Sequence, residues 1–212
     1  MRASPNTTEG LEGKIQRPDF GTYHHTTTRA SEETREMVKA LFRETFDRLP
    51  FSKDDRLKIL DMGCGLGFLS CFCAEYYRSA MITGIDTFGH ASLKGSSLAR
   101  AKDNARILGF SERIRFEKGD ILRADYGRAG FDLFVTSLVF HNLGKRRFDA
   151  YERLARWVTR KSYVVLGDVF FDYERDIGRL KKLFESLQER PGLTSEGVYK
   201  VLVLSKPRER PT

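Results

Sequence analysis

Cysteine is scarce in this chain. Its three copies, Cys64, Cys71 and Cys73, fall within ten positions of one another, and no second cluster of Cys or His stands at ligand spacing. Neither a disulfide framework nor a zinc site is supported, which leaves small buried thiols and no expected metal. Long apolar runs are missing too: none approaches the roughly 18 residues of a membrane-spanning helix. The opening stretch MRASPNTTEG has no apolar signal-peptide core. The expectation is a cytoplasmic protein with no membrane partner. No fixed repeat period is visible, which sets aside solenoids and propellers.

What is present suits one folded domain: 212 residues, 40% hydrophobic with 16 Phe, and 31% charged. The formal net charge is +8. Its excess is concentrated in KRRFDAYERLARWVTRK, residues 145–161, where seven cations face only Asp149 and Glu152. Two readings stand. The segment is a docking surface for a polyanion such as RNA, or it is a solvated helix whose basic C-terminal end suits the helix dipole.

Residues 1–29 are polar and Thr-rich without periodicity, and are expected to form an N-terminal arm ahead of a domain over 30–212. Within the arm, DFGTYHHTTT carries Phe20, Tyr23, His24 and His25, rings suited either to folding over a pocket as a lid or to docking on the core. From Ser31, taken as the N-cap, apolar residues Met37, Val38, Leu41, Phe42, Phe46 and Leu49 recur at helical spacing until Pro50. Buried strands are expected at 57–62, 81–85, 114–117, 131–136, 163–169 and 198–204. Helices are expected at 68–78, at 98–108 closed by Gly109, at 147–159 and at 174–187. Strand alternating with helix means an α/β fold, a doubly wound and mostly parallel sheet covered on both faces. Ligands collect at the carboxyl ends of such strands, so the chemistry belongs just after Met62, Ile85, Glu117 and Thr136.

The stretch KILDMGCGLGFLS, residues 58–70, places Gly63, Gly65 and Gly67 between the first strand and a helix. Missing side chains there allow a tight turn and let a ligand approach bare backbone near the helix N-terminus. Twenty-three residues beyond Gly63, ITGID ends the second strand with Asp86, placed to accept hydrogen bonds from both hydroxyls of a ribose. A dinucleotide site needs its third glycine where Phe68 stands, so a nicotinamide cofactor is disfavoured. After the third strand, EKGDIL offers Asp120 to an exocyclic amino group and Ile121 to the face of a base. Asp86 closing a strand and Asp120 capping a loop are the plainer alternatives.

These segments, LDMGCGLG, GIDTF, EKGDIL and FDLFVTSLVFHNLG in that order, resemble the class I, Rossmann-like S-adenosylmethionine-dependent methyltransferases over residues 31–205. The resemblance implies a sheet of about seven strands with the last antiparallel, and VYKVLVLS is similar to that closing strand. Only LQERPGL is left for the strand before it, which is expected to be short or irregular. The resemblance also implies S-adenosylmethionine as cofactor, with Asp61, Gly63, Gly65 and Gly67 around its methionine part, Asp86 at the ribose, and Asp120 with Ile121 at the adenine. Cys64, Thr87, Gly119 and Ser137 complete the implied cofactor-binding set. TFGHASLKGSS, residues 87–97, is longer than the family's usual connection there, and is read either as part of the substrate entrance or as a neutral insertion.

Methyl transfer needs an acceptor lone pair in line with the methyl carbon and, for a hydroxyl, a base for its proton. The fourth strand delivers TSLVFHNLG, which makes His141 and Asn142 the catalytic candidates. A histidine packed at a helix start is the alternative, since spacing identifies no carboxylate partner for it. The family's Asn/Asp-Pro-Pro-aromatic signature for base or amide nitrogens is absent, as is a Pro-Cys pair. The resemblance therefore leans toward a small-molecule acceptor. An RNA or protein methyltransferase docking on residues 145–161, and a non-catalytic module that binds the cofactor, remain the alternatives.

Overall fold

The computed structural model describes residues 16–127, 130–190 and 199–208. Seven strands build one sheet: β1 (Lys58–Met62), β2 (Met81–Asp86), β3 (Ile114–Lys118), β4 (Leu133–Ser137), β5 (Tyr163–Val169), β6 (Phe184–Arg190) and β7 (Tyr199–Pro207). Their order across the sheet is β3-β2-β1-β4-β5-β7-β6. Strands β1 to β5 pair in parallel, while β7 runs antiparallel to both β5 and β6. The mostly parallel sheet with an antiparallel last strand is as expected from the sequence. Strands buried on both faces read as continuous apolar runs, and Ile59 and Leu60 of β1, on opposite faces, are both fully buried.

Helices α1 (Thr28–Phe46), α2 (Phe68–Tyr76) and α3 (Leu98–Ile107) cover one face, and α4 (Arg147–Trp157) and α5 (Tyr173–Leu183) the other. On the first face Phe46 is fully buried, stacks on Phe72 at 5.9 Å between ring centroids, and touches Tyr76 and Tyr77. On the second, Asp176 of α5 is buried and takes Arg147 Nε at 2.6 Å and Tyr151 Oη at 3.2 Å, locking α4 to α5.

Two local expectations are corrected. The N-cap of α1 is Thr27, whose side chain accepts from Ala30 N, and not Ser31. Ser31 lies inside the first turn, buried, where its Oγ accepts from Tyr23 N and pairs with Thr26 Oγ1 at 2.7 Å. The expected helix 174–187 ends at Leu183, and Phe184–Arg190 is a full strand rather than a short or irregular one. Ile177, Leu180, Phe184 and Leu187 continue a helical spacing, but β7 needs a partner for its outer row of N–H and C=O groups, and that pairing wins. The expected start of the last strand at 198, the 191–193 part of LQERPGL and residues 1–15 of the arm lie outside the described residues. Among the described residues no helix is long and apolar enough to cross a membrane. Among them, too, no group of three or more His, Cys, Asp or Glu is arranged to hold a metal ion.

Candidate functional site

The chain winds outward from β1 through β2 to β3, then returns to lay β4 on the other side of β1. Loops leaving β1 and β4 therefore diverge, and a crevice opens at their carboxyl ends. A cavity of about 560 Å³ lies there, within the usual size of a small-molecule site. Its wall includes Asp61, Gly63, Cys64 and Gly65 after β1, Asp86 and Thr87 after β2, and Gly119, Asp120 and Ile121 after β3. Ser137, His141 and Asn142 follow β4. Every site residue expected from the sequence is thus brought to one cavity except Gly67. That glycine is the N-cap of α2 at φ +84, and a Cβ there would lie 2.6 Å from Phe116 Cζ, so it serves the turn and the packing beneath it.

Gly63 has φ +74, and a Cβ on it would lie 2.4 Å from Val139 Cγ2. The two diverging loops touch at this point, which no larger residue allows. The loop is held by Gly63 N and Cys64 N, both donating to Ile85 O at 2.8 and 3.0 Å. Burial pushes the Cys64 and Cys73 thiols well above their usual pKa and Cys71 up to about 12, with the Asp61 carboxylate adding to each. The three thiols are therefore unreactive packing groups.

Three carboxyl groups surround this backbone. Asp86 accepts Gly65 N at 2.9 Å on one oxygen and Phe88 N at 2.7 Å on the other. Each oxygen keeps a second lone-pair direction for a ligand. Asp120 accepts Leu122 N at 2.8 Å, and its main-chain oxygen takes Arg123 N and Ala124 N. It is the loop cap of the plainer alternative and a cavity residue at once. Asp61 is buried, accepts Ser70 Oγ at 2.5 Å, and has its pKa raised to about 7, chiefly by burial, with Ser70 opposing and Asp86 adding.

Beyond β4 the sequence reading missed a partner. His141 Nδ1 lies 2.5 Å from Oδ1 of Asp168, at the end of β5. Asp168 is buried and also takes Phe140 N at 2.7 Å, His141 N at 3.2 Å and Val169 N at 2.7 Å. Surrounded by donors, the carboxylate fixes Nδ1 as the protonated ring nitrogen, which leaves the lone pair on Nε2 of a residue that lines the cavity. The signal lay in VLGDVF: an acid at the end of a strand neighbouring β4. Asn142 Nδ2 donates to Leu138 O at 3.0 Å and shapes the turn. Ser137 Oγ sits 2.8 Å from Tyr199 Oη, a missed residue that, unlike Asp168, lines the cavity, with its hydroxyl packed against Gly167. Leu138 and Phe88 hold φ +59 and +54 without being glycine; each follows the end of a strand, and Leu138 lines the cavity.

The arm covers this space. Phe20, Tyr23 and His24 line the cavity, and Phe20 packs edge-on against Phe68 at 5.5 Å; His25 is exposed beside His24. Tyr23 bridges to Leu93, and His24 N donates to Ser92 O at 2.9 Å, so segment 87–97 and the arm close on each other. Asn104, a further residue the sequence did not mark, ties them to the glycine loop. Its side chain accepts from Asp19 N and donates to Asp19 O and Leu66 O, each at 2.9 Å.

Residues 53–201 match a sequence family described as a methyltransferase domain. The chain belongs to that family. Within curated relatives of this methyltransferase domain, 166 residues are 25% identical to the malonyl-[acyl-carrier protein] O-methyltransferase of Halalkalibacterium halodurans, covering 75% of this chain and 58% of the relative. Over 88 residues it is 28% identical to the tRNA1(Val) (adenine(37)-N6)-methyltransferase of Vibrio vulnificus, covering 42% and 34%. The chain thus spans less than two thirds of the length of either relative. Among solved structures, a TehB-like SAM-dependent methyltransferase of Corynebacterium glutamicum superposes with a TM-score of 0.58 at 16% identity, over 84% of this chain and 96% of that one. The mitomycin 7-O-methyltransferase MmcR gives 0.59 at 14%, over 84% and 58%. At such identities the likeness is one of fold.

Proposed function

We propose that the domain transfers a methyl group from S-adenosylmethionine to a hydroxyl of a small molecule. The observation that carries this reading is the His141–Asp168 pair, whose imidazole lines the same cavity as the glycine loop and Asp86. The residues suit the cofactor. Bare backbone at Gly63 and Gly65 faces the cavity, Asp86 has free acceptor directions for two ribose hydroxyls, and Ile121 with Asp120 fits an adenine ring and its amino group. Asp61, with Cys64, Thr87, Gly119 and Ser137, completes the surround, the carboxyl group meeting the amino end. When bound, S-adenosylmethionine supplies an electrophilic methyl carbon on a sulfonium, whose departure leaves a neutral thioether.

The chain's own part is positioning and proton removal. His141 Nε2 receives the proton that the acceptor hydroxyl gives up, and Asp168 holds the ring and stabilises the imidazolium formed. Asn142 keeps the turn that presents the ring. Phe20, Tyr23 and His24 act as a lid that excludes water from the sulfonium, closing with residues 87–97.

The relatives named for tRNA would favour an RNA acceptor. Against it, the loop after β4 reads Ser-Leu-Val-Phe where the Pro-Pro-aromatic signature would stand. Much of the basic segment is also occupied: Arg147 binds Asp176, Arg160 binds Glu185, Arg156 lies 4.0 Å from Glu152, and Arg153 donates to Ala124 O. A purely cofactor-binding module has no use for an oriented imidazole.

Calorimetry with S-adenosylmethionine and S-adenosylhomocysteine, followed by turnover with His141→Gln, tests the reading. Micromolar binding of both ligands and a kcat about 10²–10⁴-fold lower in the variant, at equal cofactor affinity, are expected. Absence of cofactor binding to folded protein overturns it.

A further inference from the structure

The far end of the cavity carries features that the cofactor and the proton transfer do not use. Arg146 lines it and is, among the described residues, the one Lys or Arg that does. It is exposed and makes no ion pair, hydrogen bond or ring contact with another described residue. The next residue, Arg147, is by contrast engaged with the buried Asp176. Arg146 reaches the cavity because Gly144 breaks the 3-10 helix Phe140–Arg146 with φ +55 and ψ −131, a conformation open in practice only to glycine. His141, Asn142, Leu143 and Arg146 are thereby all brought to one wall.

A second feature lies just outside that lining, against the His141 ring. Phe171, just past the end of β5, is 80% exposed, the most exposed large apolar residue among those described. Its ring meets the His141 imidazole edge-on at 6.1 Å between centroids. A large aromatic side chain held in water next to the proton acceptor gains only when a flat apolar surface covers it.

Resting on the methyltransferase reading, we infer that the acceptor is a hydroxyaromatic acid: a phenolic hydroxyl at His141, the ring against Phe171, and a carboxylate paired with Arg146. A single guanidinium matches one planar monoanion, which it grips with two parallel N–H bonds. A phosphate would draw on more than one cation, and no other Lys or Arg among the described residues lines this wall; the N-terminus of α4, which Arg146 caps, carries Asp149 in its first turn, which opposes a dianion there. The acids that line the cavity, Asp61, Asp86 and Asp120, belong to β1, β2 and the loop after β3, so Arg146 is the one formally charged side chain of that lining after β4; Asp168, outside the lining, is already held by His141 and three backbone N–H groups.

The test compares hydroxybenzoates and hydroxycinnamates with their neutral carboxamides, on protein saturated with S-adenosylhomocysteine for binding and with S-adenosylmethionine for turnover. At least one acid is expected to bind tenfold or more tightly than its amide. Arg146→Gln should remove that preference while leaving the amide and S-adenosylhomocysteine unaffected, Arg146→Lys should restore part of it, and Phe171→Ala should weaken acid and amide alike. Equal binding of acid and amide, a preference that survives Arg146→Gln, or binding of neither class by cofactor-loaded protein overturns the acceptor assignment. Failure to bind S-adenosylhomocysteine at all overturns instead the methyltransferase reading beneath it. Hydroxyphenyl phosphates serve as the third arm, and tighter binding of these than of the carboxylates refutes the carboxylate.

Discussion

Replacement of Asp86 by Ala removes two kinds of contact, and the structure separates them. Toward the protein, the carboxylate takes Gly65 N at 2.9 Å and Phe88 N at 2.7 Å. Losing these leaves two N–H groups at the cavity rim, where water reaches them, at a cost of about 1–2 kcal/mol in folding stability. Toward the ligand, the same two oxygens offer one further acceptor direction each, one per ribose hydroxyl. A hydrogen bond to a charged group contributes about 1.5–3 kcal/mol when made between buried partners. Allowing for water left at the rim, the pair together should contribute about 2–3 kcal/mol, or roughly 30- to 150-fold in Kd.

A simple loss of affinity in Asp86→Ala would not tell the ribose contact from a loosened loop, because Gly65 loses its anchor as well. The ligand must therefore be varied too. Calorimetry with S-adenosylhomocysteine and with its 2′-deoxy and 3′-deoxy analogues, on wild type and on Asp86→Ala, makes a double-mutant cycle. On wild type each deoxy analogue should bind about tenfold more weakly. On the variant, with thermal melts verifying a folded protein, the deoxy analogues should bind as well as the parent. Equal penalties for the missing hydroxyls on both proteins would refute the placement of the ribose at Asp86.

Asp61 sets a pH dependence: with its folded pKa raised from 3.8 to about 7, the folded chain retains a proton that the unfolded chain releases. Its contribution is thus fully present below about pH 4 and lost as pH rises to about 7, on the order of a few kcal/mol. Urea midpoints of cofactor-free wild type measured against Asp61→Asn should show that slope, and a flat difference across the window would contradict it. Asp168→Asn puts an NH2 group among three backbone donors and the ring, so kcat should fall about 10²–10⁴-fold with cofactor Kd changed by less than about threefold. Parallel losses in both would mean a purely structural role. At Gly167 a Cβ would lie 2.0 Å from Tyr199 Oη and 2.8 Å from Phe42 Cε2, so Gly167→Ala should destabilise by about 1–3 kcal/mol and Tyr199→Phe should relieve part of that loss, readable by thermal melts. Phe46→Ala, emptying a fully buried ring site among Phe42, Phe72, Tyr76 and Tyr77, should cost about 3–5 kcal/mol by chemical denaturation.

The parallel strands were legible because burial on both faces writes itself as an unbroken apolar run, and their order of appearance among helices left little choice of architecture. Strand β6 was not legible for a reason specific to its residues. Phe184 and Leu187 continue the spacing of Ile177 and Leu180, so the local pattern stays helical past Leu183. What turns 184–190 into a strand is the open edge of β7, a chain segment beginning nine residues later. Ser31 misled in the same way: its identity suits a cap, but the hydroxyl is taken by Tyr23 N and Thr26 of the arm.

The cavity divides along the same line. Gly63, Asp86 and Asp120 each lie at the end of a strand within one β-to-α or β-to-loop connection, so their place on the cavity follows from positions read along the chain. The partner of His141 does not. Asp168 is 27 residues further on, and only the pairing of β4 with β5, Ser137 opposite Gly167, brings the two strand ends side by side. The same pairing places Phe171 against the imidazole and leaves the loop from Gly144 to Arg146 facing it. In a doubly wound sheet, then, the half of the crevice proposed for the cofactor is built from consecutive strand ends and can be read from order alone. The half proposed for the acceptor is built across the β4–β5 pair, and its arrangement emerges only once register is known. That division explains why a chain of this kind declares its fold early and keeps the proposed acceptor determinants in residues that local pattern does not assign: Asp168 and Phe171 stand out in no motif, and Arg146 is one of seven cations in a basic run.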